Sequence, residues 1–449
     1  MNRSRLSTPH RPVWVAGCTW LAVAWAGSLL HASDWPQWRG PHRDGKSTET
    51  GLLQEWPEGG PSLAWRVEGL GSGFSSLSVA NGRIYTMGDL EDGQYVFALQ
   101  EADGAVLWKT KVGPVHEDDY GGSRCTPTTD GDRLYVTNTE GEVVSLEAAT
   151  GKEAWRVSMV EQYESYLMKA MGSYDWRYAE SPLVDGDKVI VTPGHIRAMI
   201  VALDKKTGEE IWKTAGGRIG PIGSDGAAYS SVVVTEIAGT RQYVQLVGRG
   251  VMAVDAQTGK MLWSYNRVAN DIANIPTSLV TGDYVFSSSG YGTGAALLKI
   301  SKNANFDENS EEDQDEWLAE EVYFLEGDTM QNHHGGLILH EGFVYTGTGH
   351  NKGFPLAVKM ETGEVAWGPI RNDGMDSAAI TYADGRIYFR YQTNALMILV
   401  EANPKEYIEH GSFPIPGAKK PSWSHPVVAN GKLLLKEQDT LLAYDIAAP

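Results

Sequence analysis

The sequence predicts an all-β fold: an eight-bladed β-propeller of four-stranded antiparallel blades, its ring closed by a strand near the N-terminus pairing with strands at the C-terminus. Three observations carry this prediction. A motif made of a short apolar run, an acid, a Thr-Gly turn and a Trp recurs along the chain. Each copy has a tight hairpin signal upstream of it. A half-copy stands alone near each end, so the two halves complete one another.

The clearest copies are Val144-Ser145-Leu146-Glu147 before Thr150-Gly151 and Trp155, Val201-Ala202-Leu203-Asp204 before Thr207-Gly208 and Trp212, and Val254-Asp255 before Thr258-Gly259 and Trp263. Ala357-Val358-Lys359 before Thr362-Gly363 and Trp367 is a fourth, and Phe97-Ala98-Leu99 with Asp103-Gly104 and Trp108 is looser. Trp317 takes the same place after an acidic insertion, and Tyr407 takes it in the seventh copy. Trp65 has no upstream partner except Leu441-Leu442-Ala443-Tyr444-Asp445 at the other end of the chain. Successive aromatic positions lie 40 to 57 residues apart, which is blade spacing. The regular Trp is expected to bury apolar area against the next blade.

Asn81-Gly82 and Asn430-Gly431 are strong two-residue hairpin signals, because both turn positions need positive φ. Equivalent turns fall at Asp130-Gly131, Asp185-Gly186, Ala238-Gly239, Thr281-Gly282, Glu341-Gly342 and Asp384-Gly385, so eight hairpins predict eight blades. With strands A to D named from the axis outward, these turns join A to B and the Thr-Gly turns join C to D. Both sets share one face, and the B–C and D–A connections gather on the other.

Ahead of the ring, Arg3, Arg5 and Arg11 precede an apolar run over residues 13–30 and the small residues Ala32 and Ser33, the pattern of a secretory signal. The expected domains are a signal peptide at 1–32, an N-terminal capping segment at 33–60 and the propeller at 61–449. The same run is long enough for a single-pass anchor. Val15-Ala16-Gly17-Cys18 has the form of a lipoprotein box, but the apolar run continues past it. Loss of the leader leaves Cys125 alone, so no internal disulfide is expected in a periplasmic or extracellular protein. The formal charge of −19 moves to about −22 without the three arginines, which disfavours nucleic acid and anionic lipid as partners.

The Asp-x-x-Thr-Gly-x-x-x-Trp form of the copies resembles the tryptophan-docking repeat of the pyrroloquinoline quinone-like (PQQ-like) propellers, a superfamily of quinoprotein alcohol dehydrogenases and the assembly lipoprotein BamB. Asp34-Trp35-Pro36-Gln37-Trp38-Arg39-Gly40-Pro41, Met330-Gln331-Asn332-His333-His334-Gly335-Gly336 and Lys420-Pro421-Ser422-Trp423-Ser424-His425-Pro426 are similar to a secreted bacterial branch of it. The resemblance covers roughly residues 34–449.

The D–A loops deliver Arg124, Glu180, Tyr229, Asn274, His333, His334, Asp376 and His425 to the axis, just ahead of the inner strands. Such a ring suits a binding pocket, and it equally suits a wet channel that needs polar side chains. Glu180, Asn274 and Asp376 have the oxygen donors calcium prefers. The resemblance implies PQQ and calcium as cofactors, with Asp376 or Glu180 as base, Arg124 as electrostatic clamp and Trp176 or Trp423 as stacking platform. Against a dehydrogenase stand the absence of an adjacent cysteine pair and of a haem-binding Cys-x-x-Cys-His, and the short chain. His333, His334 and His425 are an alternative metal set, although adjacent histidines on a strand point to opposite faces.

Four further features have mainly structural readings. Gly290-Tyr291-Gly292-Thr293-Gly294 reads as a B–C turn, since no helix follows to cradle a phosphate. The loop 158–180, with Tyr163, Tyr166, Tyr174, Trp176 and Tyr178 beside Lys169 and Arg177, reads as either a binding surface or a lid. The acid-rich run 307–316 lacks the glycine of an EF-hand and reads as a solvated loop. Trp35, Trp38 and Trp56 read as packing against one face of the ring. The leading functional expectation is an exported module binding a small-molecule ligand or an envelope protein through the open face. The alternatives are a PQQ- and calcium-dependent alcohol or sugar dehydrogenase and a BamB-like assembly scaffold.

Overall fold

The computed structural model describes residues 1, 34–168, 176–215, 219–307, 315–418, 421 and 423–449. The predicted leader, Lys169, Tyr174 and most of the acidic run lie outside the described residues. Eight four-stranded antiparallel sheets form an eight-bladed propeller with almost no helix. Blade 1 consists of Ser78–Ala80, Arg83–Leu90, Gly93–Gln100 and Val106–Gly113, and the next six repeat that order. Blade 8 takes Val427–Ala429, Lys432–Glu437 and Thr440–Asp445 from the C-terminus and its outermost strand, Ser62–Val67, from the N-terminal side. In that ladder Trp65 faces Ala443 and Arg66 faces Leu442, so the ring closes as the sequence predicts. Ser62–Val67 covers the edge of Thr440–Asp445 that would otherwise stand unpaired.

A single device repeats around the periphery. Each docking Trp faces a small residue on strand C: Ala98 opposite Trp108, Ser145 opposite Trp155, Ala202 opposite Trp212 and Ala357 opposite Trp367. A register shift follows at once, a β-bulge that turns the indole out of its own sheet. Where the next blade carries a Thr-Gly turn the ring lies on it, Trp108 on Gly151, Trp155 on Gly208 and Trp212 on Gly259, whereas Trp367 lies against Asn403 of blade 7 and donates from Nε1 to its carbonyl at 2.7 Å. Trp108 Nε1 donates to the Ala148 carbonyl at 3.2 Å and Trp155 Nε1 to that of Lys205 at 3.1 Å. Glycine is required beneath: at Gly151 and Gly208, with φ of +71° and +78°, an added Cβ would stand 2.5 and 2.9 Å from the Trp108 and Trp155 side chains.

Two copies depart from the sequence reading. The long insertion extends the outer strand of blade 5, Trp317–Glu326, so Trp317 faces Lys302 at its start and Tyr323 occupies the position opposite Leu297. Tyr323 lies over Gly363 and donates from its hydroxyl to the Met360 carbonyl at 2.6 Å, so it is the docking residue, and Trp317 instead packs into the core beside Trp263. In blade 7, Tyr407 precedes the outer strand Glu409–Pro414 and meets Trp367 edge-on at 5.5 Å. Trp56 lies beside that strand, its amide donating to the His410 carbonyl, its backbone and Cβ over Gly411 and its ring 5.0 Å from that of Phe413.

Residues 35–47 thread the axis. Trp35 pairs with Val79 of blade 1, the Thr129 amide of blade 2 donates to the Pro36 carbonyl, and Trp38 Nε1 donates to Thr277 Oγ1 beside blade 5. Arg43 donates to the carbonyls of Ser181, Pro182 and Val232, and Arg39 to those of Asp44 and Leu337. Ser47 and Gly45 bond with Tyr382 of blade 7. The inner strands converge here with carbonyls no sheet can satisfy, and two guanidiniums cap them. Burial pushes both arginines down to about 10, so they remain charged at neutral pH.

Candidate functional site

Above this segment, on the face of the D–A and B–C loops, lies a cavity of about 430 Å³. Trp38 and Arg39 of the axial segment contribute to it, and the remaining lining comes from loops of several blades. On one wall Trp423 stacks with Phe74 at 4.3 Å and with Tyr120 at 5.1 Å. Arg124 extends that wall, its guanidinium 5.1 Å from the centre of the Phe74 ring and its Nη2 donating to the Tyr120 carbonyl. Elsewhere Trp176 tilts against Tyr229 at 5.8 Å, near Ile272 and Ile275.

A cluster of imidazoles completes the lining. His333 lies 4.6 Å from His334 and 4.5 Å from His350, ring centre to ring centre. His333 Nδ1 pairs with Ser377 Oγ at 2.8 Å and its Nε2 with the Tyr291 hydroxyl at 3.1 Å. His425 Nε2 donates to the His334 carbonyl and its ring meets Trp38 edge-on at 4.6 Å. Burial pushes His334 down to about 4 and His425 to about 3, and it also lowers His333 and His350. The imidazoles are therefore neutral at pH 7.

Of the residues expected at the axis, Arg124, Tyr229, His333, His334, Trp423 and His425 line the cavity, as does Trp176. Glu180, Asn274 and Asp376 do not. The Glu180 carboxylate is buried and accepts from the Thr192 amide and hydroxyl at 2.8 and 2.9 Å, and burial raises its pKa to about 7. Asn274 spends its amide on the carbonyls of Val247 and Gly248 and its oxygen on the Asn270 amide. Asp376, at φ +63°, accepts from Thr393 Oγ1. The expectation that adjacent histidines diverge is corrected too: His333 and His334 sit in a loop rather than a strand, and both reach the cavity.

Among the described residues no Asp or Glu lines the cavity, and no group of three His, Cys, Asp or Glu is placed to hold a metal ion. The three oxygen donors expected for calcium are each bound within the protein, and among the described residues no carboxylate reaches the cavity to serve as base. The residues present do not fit the quinone–calcium pair. Sequence reasoning missed Arg39, Phe74, Tyr120, Tyr291, His350 and Gln392. Tyr291 and His350 lie in B–C turns, and that position was the available signal.

A ring of eight PQQ-like blades around a ligand-sized axial cavity defines the class of protein. Residues 92–368, more than half of the chain, match the family model described as outer membrane protein assembly factor BamB, and the chain belongs to this PQQ-like repeat family. It is 27% identical over 255 residues to the outer membrane protein assembly factor BamB of Burkholderia pseudomallei, across 53% of this chain and 58% of that protein. It is 30% identical over 172 residues to quinohemoprotein alcohol dehydrogenase ADH IIB of Pseudomonas putida, across 35% of this chain and 22% of that protein. The matched stretches thus span less than two thirds of either relative. The solved quinohemoprotein alcohol dehydrogenase ADHIIG of Pseudomonas putida HK5 superposes with a TM-score of 0.61 at 14% identity, over 93% of this chain and 81% of that one, a likeness of fold.

Proposed function

We propose that this protein is an exported binding module that takes a small ligand in its axial cavity. The domains on this reading are a leader at 1–32, an N-terminal segment at 33–60 and the ring at 61–449, released to the periplasm or the exterior. Among the described residues no helix is long and apolar enough to cross a membrane. One observation carries the preference for binding over catalysis: aromatic, imidazole and arginine side chains line the cavity, while Glu180 and Asp376 lie outside it. Its volume and its few polar groups among apolar walls suit a small molecule. The test reconstitutes the protein with PQQ and calcium and supplies alcohols or sugars with an artificial electron acceptor. No turnover is expected. Turnover that disappears in Asp376→Asn would establish the dehydrogenase instead.

The family match favours a second reading, an envelope assembly scaffold that docks a protein partner. Affinity capture from envelope extracts, compared between the native protein and Tyr120→Ala at the half-exposed rim, separates the readings. A partner retained by the first and lost by the second supports docking at the mouth.

A further inference from the structure

The chain carries 57 acidic residues against 38 lysines and arginines, yet among the described residues the lining of the axial cavity holds two arginines and no acid. Arg39 is 3% exposed, and its Nη1 has no hydrogen-bond partner. That nitrogen is packed at the floor against Gly336, where a Cβ would stand 2.0 Å from it. A buried guanidinium N–H left unpaired is costly and calls for a compensating role. The carboxylate whose field reaches Arg39 is that of Asp44, which belongs to the polar space on the other side of the axial segment. The histidines around the floor are neutral, so Arg39 and Arg124 are the charged groups of the lining.

We propose that the cavity selects small organic acids with an aromatic or alicyclic body and a single carboxylate. Arg39 supplies a positive field through the low-dielectric floor, and Arg124 meets the carboxylate at the wall. A fixed charge in a concave, water-poor site focuses its field on the occupant and weights affinity by ligand charge. The body of the ligand lies among Trp38, Trp176 and Trp423. The N-terminal segment is then part of the binding site as well as an axial filler. This rests on the cavity being a binding site, and the experiment separates the two claims.

The probes are 2-naphthoate and its neutral analogue 2-naphthamide, titrated calorimetrically into the full chain at low and high salt. Naphthoate is expected to bind at least tenfold more tightly, with a preference that shrinks as salt rises. Arg124→Gln is expected to lower naphthoate affinity severalfold more than amide affinity, and Arg39→Lys, which keeps the buried charge, to retain the preference. These readouts do not depend on whether Arg39→Gln, which also loses strand carbonyl contacts, still folds. Equal affinity for the two probes overturns the charge selection and leaves the cavity reading standing. Binding of neither overturns both.

Discussion

The periphery and the axis of this propeller hold together by different rules. Around the rim one contact recurs: an indole, or the phenol of Tyr323, crosses to the next blade and rests on its C–D turn, a glycine turn beneath Trp65, Trp108, Trp155, Trp212 and Tyr323. At the axis nothing recurs. Thirteen residues of a non-repeating segment meet inner strands of most blades, and the loops above them share no motif. The rim is redundant and built for stability, whereas the axis is singular and free to carry specificity.

The largest effect should come from breaking the one join that makes the rim a ring. Deleting residues 440–449 removes the strand on which Ser62–Val67 pairs. Cooperative unfolding is expected to disappear from calorimetric scans, and a sharp melt in the truncated protein would refute closure as the source of stability. Next, Trp155→Ala at the rim is expected to cost about 3–5 kcal/mol in denaturant unfolding. Trp423→Ala at the cavity wall should cost well under half of that and abolish ligand binding. Equal stability losses would erase the distinction between the two regions.

Acid should single out the axis. His334 and His425 are held near 4 and 3 in the fold against an ordinary 6.5, so the unfolded chain takes up protons that the folded chain refuses. Their contribution is complete above pH 6.5 and is lost as pH falls towards 4, by at most about 1.4 kcal/mol per pH unit for each histidine. Thermal melts between pH 7 and 4.5 should show a shallower decline in His425→Gln than in the native protein. The smallest expected effect belongs to Tyr323→Phe, about 1 kcal/mol for the hydrogen bond to Met360, with the docked ring retained. No change in Trp317→Phe beyond a packing loss would sharpen the assignment of docking to Tyr323.

The rim was readable in advance because its signals are local. A Thr-Gly turn, an acid ahead of it and a Trp after it lie within a dozen residues and need no distant partner to be recognised. The two misplaced aromatics have a physical reason. In blade 5 a long insertion changed the register of the outer strand, and in blade 7 a segment from the other end of the chain brought Trp56 to the site. Of the residues picked out by position just before an inner strand, Arg124, Tyr229, His333, His334 and His425 line the cavity. That position could not distinguish a side chain aimed inward from one turned away, and Glu180, Asn274 and Asp376 are turned to their own hydrogen-bond partners.

The amino-acid order alone determined the number of blades, the strand partners within them and the pairing that seals the ring, because each follows from short-range periodicity and turn chemistry. Only the folded ring decided that Arg39 and Arg43 stand at the axis and that, among the described residues, no carboxylate faces the cavity above them. Those facts depend on which carbonyls remain unpaired once eight sheets converge, a quantity that no stretch of sequence contains until all of them are in place.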